Sequence, residues 1–166
     1  MADKIYNALF LCSRNSARSI LAEGLLNEHG HGRFKAYSAG SDPSDEVHPL
    51  ALETLQSLRM PTAGFRSKSW NEFAKPDAPQ MDFILTVCDK AAGEVCPVWP
   101  GQPITAHWGV ADPVAFEGDD AAKLHQFRAA AVTLTRRIEL LLSLPLHRLD
   151  ALAIKREITD IGLADQ

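Results

Sequence analysis

The feature that most limits what this chain can fold into is a strand-like run, Ile5–Leu11, that ends in Cys12 and gives way at once to a helical pattern. Leu9, Phe10 and Leu11 are consecutive apolar residues, so both faces of this strand are to be buried. Such a strand belongs inside a parallel sheet covered on both sides. Between strand and helix stands Cys12-Ser13-Arg14-Asn15-Ser16-Ala17-Arg18-Ser19, in which five residues separate a cysteine from an arginine and a serine follows. A short loop that opens a helix turns backbone N–H groups inward and forms a seat for a tetrahedral anion. Ser13, Arg14, Asn15, Ser16, Ala17 and Arg18 are therefore the candidate oxyanion-binding residues. Arg18 offers a planar fork of donors to two oxygens of the anion. The same field favours the thiolate form of Cys12, a nucleophile at the base of the loop. Ser19 is placed to donate a hydrogen bond to its sulfur, and Asn15 suits a position of positive φ. A cysteine after an apolar strand is by itself more often a small core residue. The strand–loop–helix setting is what favours the nucleophile.

The rest of the chain repeats the alternation. A first helix is expected from Ser16 to about His29, with Leu21, Ala22, Leu25 and Leu26 inward and Gly30 and Gly32 closing it. Arg33–Ser38 reads as a second strand. His48-Pro49 opens a second helix whose buried face is Leu52, Leu55 and Leu58. A short helix is expected within Lys68–Phe73. Asp82–Val87 is a third strand ending at Cys88, and Pro103–His107 a shorter fourth. Trp108–Gly118 is a loop holding Asp112-Pro113. The longest helix runs from about Asp119 to Leu142, with Leu124, Phe127, Ala131, Leu134, Ile138 and Leu141 at helical spacing. Alternation of this kind predicts an α/β domain, a four-stranded parallel sheet in order 2-1-3-4 with helices on both faces, in the flavodoxin-like manner. Ligands of such sheets lie at the carboxyl ends of the strands near the switch point. Cys12, Cys88 and Asp112 all come to that edge. The domain is expected to span residues 1–144. Beyond Pro145, residues 145–166 form a C-terminal helical extension in which Leu149, Leu152, Ala153 and Arg156 keep an amphipathic spacing. Its apolar face has two candidate partners, the domain's own core and a second subunit in a homodimer; the first is favoured.

The chain has 166 residues, which suits one domain with a sizeable core. A formal net charge of −4 speaks against a nucleic-acid partner. No apolar run approaches the roughly 20 residues of a membrane span, and Met1-Ala2-Asp3-Lys4 does not open a signal peptide, so a cytoplasmic protein is expected. Three cysteines in a reducing compartment are better suited to catalysis, redox chemistry or metal binding than to a disulfide framework. Asp112 is the candidate general acid for a leaving oxygen opposite Cys12; its alternative is a turn or capping aspartate. Cys88 and Cys96, eight positions apart, would lie about 12 Å apart in a continuous helix, whereas a disulfide needs Cα atoms within about 7 Å. A bond between them requires the segment to loop out, so oxidation is expected to remodel it. The alternatives are two inert thiols or half of a metal site, with His107 nearby; the spacing is not Cys-x2-Cys and no resident metal is expected.

Leu11–Ser19, Ala22-Glu23-Gly24, Tyr37-Ser38-Ala39-Gly40, Thr86-Val87-Cys88-Asp89, Cys96-Pro97 and His107-Trp108-Gly109-Val110-Ala111-Asp112-Pro113 together resemble the low-molecular-weight protein tyrosine phosphatase superfamily, and within it the arsenate reductases of thioredoxin-coupled type. The resemblance implies that Cys12 attacks arsenate held by the loop amides and Arg18 while Asp112 protonates the departing oxygen. Cys88 then attacks Cys12, arsenite leaves, and Cys96 attacks Cys88 to carry the disulfide outward. It implies no tightly bound cofactor. An external thiol reductant restores the dithiol: thioredoxin, or glutaredoxin with glutathione. Phosphate and sulfate would mimic arsenate. Some members hold potassium beside the loop; Asn15, Glu23 and Ser38 match ligand positions, while Ser67–Trp70 contains no acidic residue to complete the set. Val114 stands where the phosphatases carry an aromatic residue. The alternatives to the reductase are a phosphatase acting on phosphotyrosine or a small phosphoester, and an arsenite-binding protein in which the three thiolates trap the ion.

Overall fold

The computed structural model describes residues 4–88, 99 and 101–163. Four parallel strands form one sheet: β1 (Tyr6–Cys12), β2 (Phe34–Gly40), β3 (Phe83–Thr86) and β4 (Ile104–His107). Their order is β2-β1-β3-β4, as the alternation predicts. The register sets Cys12 beside Gly40, Leu9 beside Ile84 and Leu11 beside Thr86. The strands on either side of the switch point thus end together, and the loops that follow β1, β3 and β4 share one edge.

Among the described residues four α-helices accompany the sheet: α1 (Arg18–His29), α2 (Pro49–Ser57), α3 (Asp120–Leu142) and α4 (Ala151–Leu163). Because side chains alternate along a strand, Ala8, Phe10, Phe83 and Leu85 face one way. They form the main core with Ile20, Leu21 and Leu25 of α1 and Phe127, Leu134 and Ile138 of α3. Leu9, Leu11 and Ile84 face the other way, onto Trp70 and Phe73 of the one-turn 3-10 helix Trp70–Phe73 and onto Trp99. The helical cover is therefore unequal: among the described residues every α-helix packs on the first face.

Several local expectations shift. α1 begins at Arg18 rather than Ser16, because Ser16 and Ala17 belong to the loop. On α2, Ala51, Thr54 and Leu55 are the buried residues. Leu58 lies just past its end and is 47% exposed. The tail does form a helix on the domain's own core, but with a different face: Ile154, Ile158 and Ile161 are buried, while Leu152 is 76% exposed. What fixes this face is the end of β4. The Trp108 indole N–H donates to the Ile158 carbonyl (2.9 Å), and Gly162 passes so close to the His107 carbonyl that no Cβ would fit.

Candidate active site

The loop joining Cys12 to Arg18 is held from its outer side. The Ser13 carbonyl accepts from the Asp42 N–H (2.8 Å), that of Arg14 from the Ser44 N–H (3.0 Å) and that of Ser16 from the His48 N–H (2.9 Å). The Ser67 hydroxyl adds a second bond to the Arg14 carbonyl (2.8 Å). Engaging carbonyls on the outside of so tight a loop leaves its inside to N–H groups. Asn15 adopts φ +49°, as its side chain suits. Ala17, the N-cap of α1, supplies no side-chain cap, so the first donors of the helix are not consumed by a side chain at their own N-cap.

Inside the loop is a cavity of about 110 Å³ lined by Cys12, Ser13, Arg14, Ser16, Ala17, Arg18, Asp112 and Val114. This is far below the roughly 300–1,000 Å³ of pockets for drug-sized ligands and suits a small anion. A larger apolar groove of about 730 Å³, lined in part by Leu25, Leu58, Met60 and Val132, contains none of these groups.

Cys12 is buried, with its sulfur 2.8 Å from the Ser19 hydroxyl. Ser19 Oγ accepts from the Asn15 Nδ2–H (2.8 Å), which directs the one hydroxyl proton of Ser19 to the sulfur. Cys88 is buried as well, with its sulfur 3.6 Å from the Ser13 hydroxyl. The second cysteine sulfur therefore stands at the residue next to Cys12. Cys12 is a free thiol. Cys96, and with it the expected remodelling of the Cys88–Cys96 segment, lies outside the described residues.

Arg18 Nη1–H donates to the Val110 carbonyl (2.9 Å), and Nη2 lies 3.6 Å from Asp112 Oδ2. Asp112 Oδ1 accepts from the Val114 N–H (3.0 Å). Asp112 is thus a turn aspartate and a cavity carboxyl together: one oxygen builds the turn and the other faces Arg18. The buried Arg137 of α3 donates to the Gly109 carbonyl (2.9 Å), so two arginines hold the loop that carries Asp112. Two oxyanion candidates behave otherwise than expected. Arg14 lines the cavity, but its guanidinium pairs with Asp42 (2.7 Å) in the open. Asn15 does not line the cavity; its fully buried side chain points behind the loop.

Behind the loop, Asn15, Glu23 and Ser38 converge, and they do so on Lys68. The Lys68 side-chain nitrogen lies 2.9 Å from the Arg66 carbonyl, 3.4 Å from Asn15 Oδ1, 3.4 Å from Ser38 Oγ and 3.8 Å from Glu23 Oε1. The Lys68 backbone N–H also donates to Asn15 Oδ1 (2.9 Å), and the Ser38 hydroxyl donates to Glu23 (2.6 Å). Burial pushes the Glu23 carboxyl above its ordinary pKa, against the Ser38 hydrogen bond and the nearby Lys68 and Arg66. Burial likewise pushes Lys68 below its ordinary value, and Glu23 is the main group opposing it. Sequence reasoning missed Lys68, Ser67 and Arg137. A lysine between Ser67 and Ser69 gives no sign of burial, and Arg137 reads as one more polar residue of an amphipathic helix.

Residues 7–154 match the low molecular weight phosphotyrosine protein phosphatase family. An arsenate reductase of Halalkalibacterium halodurans is 32% identical over 130 residues, covering 78% of this chain and 90% of that protein. A glutaredoxin arsenate reductase of Synechocystis is 29% identical over 135 residues, covering 81% and 95%. Among solved structures, an arsenate reductase in its phosphate-binding state superposes with a TM-score of 0.68 at 28% identity, over 84% of this chain and 98% of that one. A thioredoxin-dependent arsenate reductase of Corynebacterium glutamicum does so with a TM-score of 0.56 at 25% identity, over 84% and 65%. The matched stretch takes in the Cys12 loop, Cys88 and the Asp112 loop alike, and so this chain belongs to the low molecular weight phosphotyrosine protein phosphatase family.

Proposed function

We propose that the protein reduces arsenate to arsenite by a relay through Cys12, Cys88 and Cys96. The observation that carries this reading is the second buried thiol: a phosphatase needs Cys12, Arg18 and Asp112, but has no use for Cys88 beside Ser13. In the first step the Cys12 thiolate attacks arsenate seated on the loop amides and Arg18. A sulfur–arsenic bond forms, and the displaced oxygen leaves as water on taking a proton from Asp112. Cys88, as thiolate, then attacks the Cys12 sulfur. The electron pair of the sulfur–arsenic bond passes to arsenic, which leaves as arsenite, and a Cys12–Cys88 disulfide remains. Attack of Cys96 on Cys88 returns the Cys12 thiolate and moves the disulfide to Cys88–Cys96. A thioredoxin, or glutaredoxin with glutathione, supplies the two electrons that reopen it; relatives of both kinds support an external dithiol of this class. Such a cycle runs in a reducing compartment, the cytoplasm.

The test is arsenate turnover coupled to NADPH consumption, run with thioredoxin and its reductase and in parallel with glutathione and glutaredoxin. Turnover with either system, lost in Cys88→Ser while hydrolysis of a small phosphoester persists, is the expected result. Turnover that survives Cys88→Ser would sink the relay. Brisk phosphoester hydrolysis with no arsenate turnover in either system would assign the protein to phosphatase chemistry, the second reading that the family match supports.

A further inference from the structure

Lys68 is 9% exposed and sits directly behind the nucleophile loop. Around its nitrogen stand four oxygens: the Arg66 carbonyl, Asn15 Oδ1, Ser38 Oγ and Glu23 Oε1. All four can accept. The Ser38 hydroxyl has given its proton to Glu23, and the Asn15 amide shows the ammonium its oxygen because its nitrogen is engaged on Ser19. A cluster of acceptors with a carboxylate at its rim is what a monovalent cation needs, and a charged ammonium meets the same need. The chain of contacts continues forward without a gap. Lys68 holds Asn15 Oδ1 with its backbone N–H (2.9 Å) and its ammonium (3.4 Å), Asn15 Nδ2–H holds Ser19 Oγ (2.8 Å), and Ser19 holds the Cys12 sulfur (2.8 Å). Each link leaves the next group one orientation. An amide turned the other way would offer Ser19 an oxygen, and the hydroxyl proton would then go to Asn15 instead of to Cys12.

We propose that the Lys68 ammonium is a built-in cation behind the loop, and that it fixes the Asn15 amide together with the Lys68 backbone N–H, a positioning role that aims the Ser19 hydroxyl at Cys12. The protein accordingly requires no inorganic monovalent cation at this place. This inference rests on Cys12 being the nucleophile, as the proposed reduction also does, but not on arsenate being the substrate.

Lys68→Met and Lys68→Ala test it. The readout is the rate at which iodoacetamide alkylates Cys12, followed at the Cys12 peptide by mass spectrometry, at one pH, in sodium, potassium and ammonium buffers. Phosphoester hydrolysis is measured beside it. The wild-type protein is expected to react at one rate in all three salts. Lys68→Met, which keeps the aliphatic stem and loses the charge, is expected to react about tenfold more slowly in every salt. Lys68→Ala is expected to be as slow in sodium and to recover in potassium or ammonium, because truncation leaves room for a cation among the four oxygens. A purely structural role would not produce salt-specific rescue in one variant and its absence in the other. Wild-type rates in a folded Lys68→Met, or potassium dependence in the wild-type protein, would overturn the proposal. Where Lys68→Ala unfolds, the methionine variant decides alone. Failure of arsenate turnover with these alkylation results intact would sink the reductase reading only.

Discussion

Replacing one hydrogen of Gly40 by a methyl group would place a carbon 2.5 Å from the Ser13 carbonyl oxygen and 2.9 Å from that of Cys12. Both are backbone atoms of the Cys12–Arg18 loop, so neither can swing aside. Gly40→Ala is expected to cost about 1–3 kcal/mol of stability, as overpacking does. It should also lower turnover roughly a hundredfold by displacing the loop about an ångström. A melt and a steady-state rate check this, and a variant with wild-type turnover would show that the loop has slack. At this scale the sequence was informative wherever spacing itself carries chemistry. Cys12, Arg18 and Ser19 are fixed relative to one another by a loop of five residues, and Asp112 by its place after the last strand. Asn15 was half legible: its positive φ follows from its residue type, but the direction of its side chain depends on Lys68, which lies 53 positions away. No local pattern reports such a partner.

The second helix shows how an element can gate stability with pH. His48 caps α2 by accepting the Leu50 N–H at Nδ1 (3.1 Å), and its ring lies 5.0 Å from that of Phe127. Burial holds the imidazole below its ordinary pKa of 6.5, helped by Lys123 and opposed by Asp112 and Asp120. The unfolded chain therefore takes up this proton first as pH falls. The His48 contribution is complete above about pH 6.5 and is lost as pH drops through the lower folded value. The thermal midpoint should decline between pH 7.5 and 5 more steeply in wild type than in His48→Asn, which keeps a capping oxygen and does not titrate. Equal slopes would exclude His48 as the group responsible. The start of α2 was legible from His48-Pro49, since proline favours the first helical position. The face of α4 was not. Leu149, Leu152, Ala153 and Arg156 keep as good a helical period as Ile154, Ile158 and Ile161, and only the docking of Ile158 on Trp108 separates the two.

For the molecule as a whole, strand order and the common edge of Cys12, Cys88 and Asp112 followed from alternation and the handedness of crossovers. The unequal cover of the two faces among the described residues did not, because there the 3-10 turn at Trp70–Phe73 lays two aromatic rings on the second face where a periodic pattern would announce a long helix. No helix among the described residues is long and apolar enough to cross a membrane. The outer bonds of the Cys12–Arg18 loop also bear on the time course of folding. The loop is five residues long, yet it is held by Asp42, Ser44, His48, Ser67 and Lys68. Contacts that close long stretches of chain form late, since the entropy of closure is lost before they repay it. Anion binding should therefore be among the last properties to return on refolding. Far-UV circular dichroism is expected to recover first, and protection of Cys12 from alkylation by bound phosphate only afterwards. Recovery of both in one phase would mean that the loop takes its working shape from β1 and α1 alone.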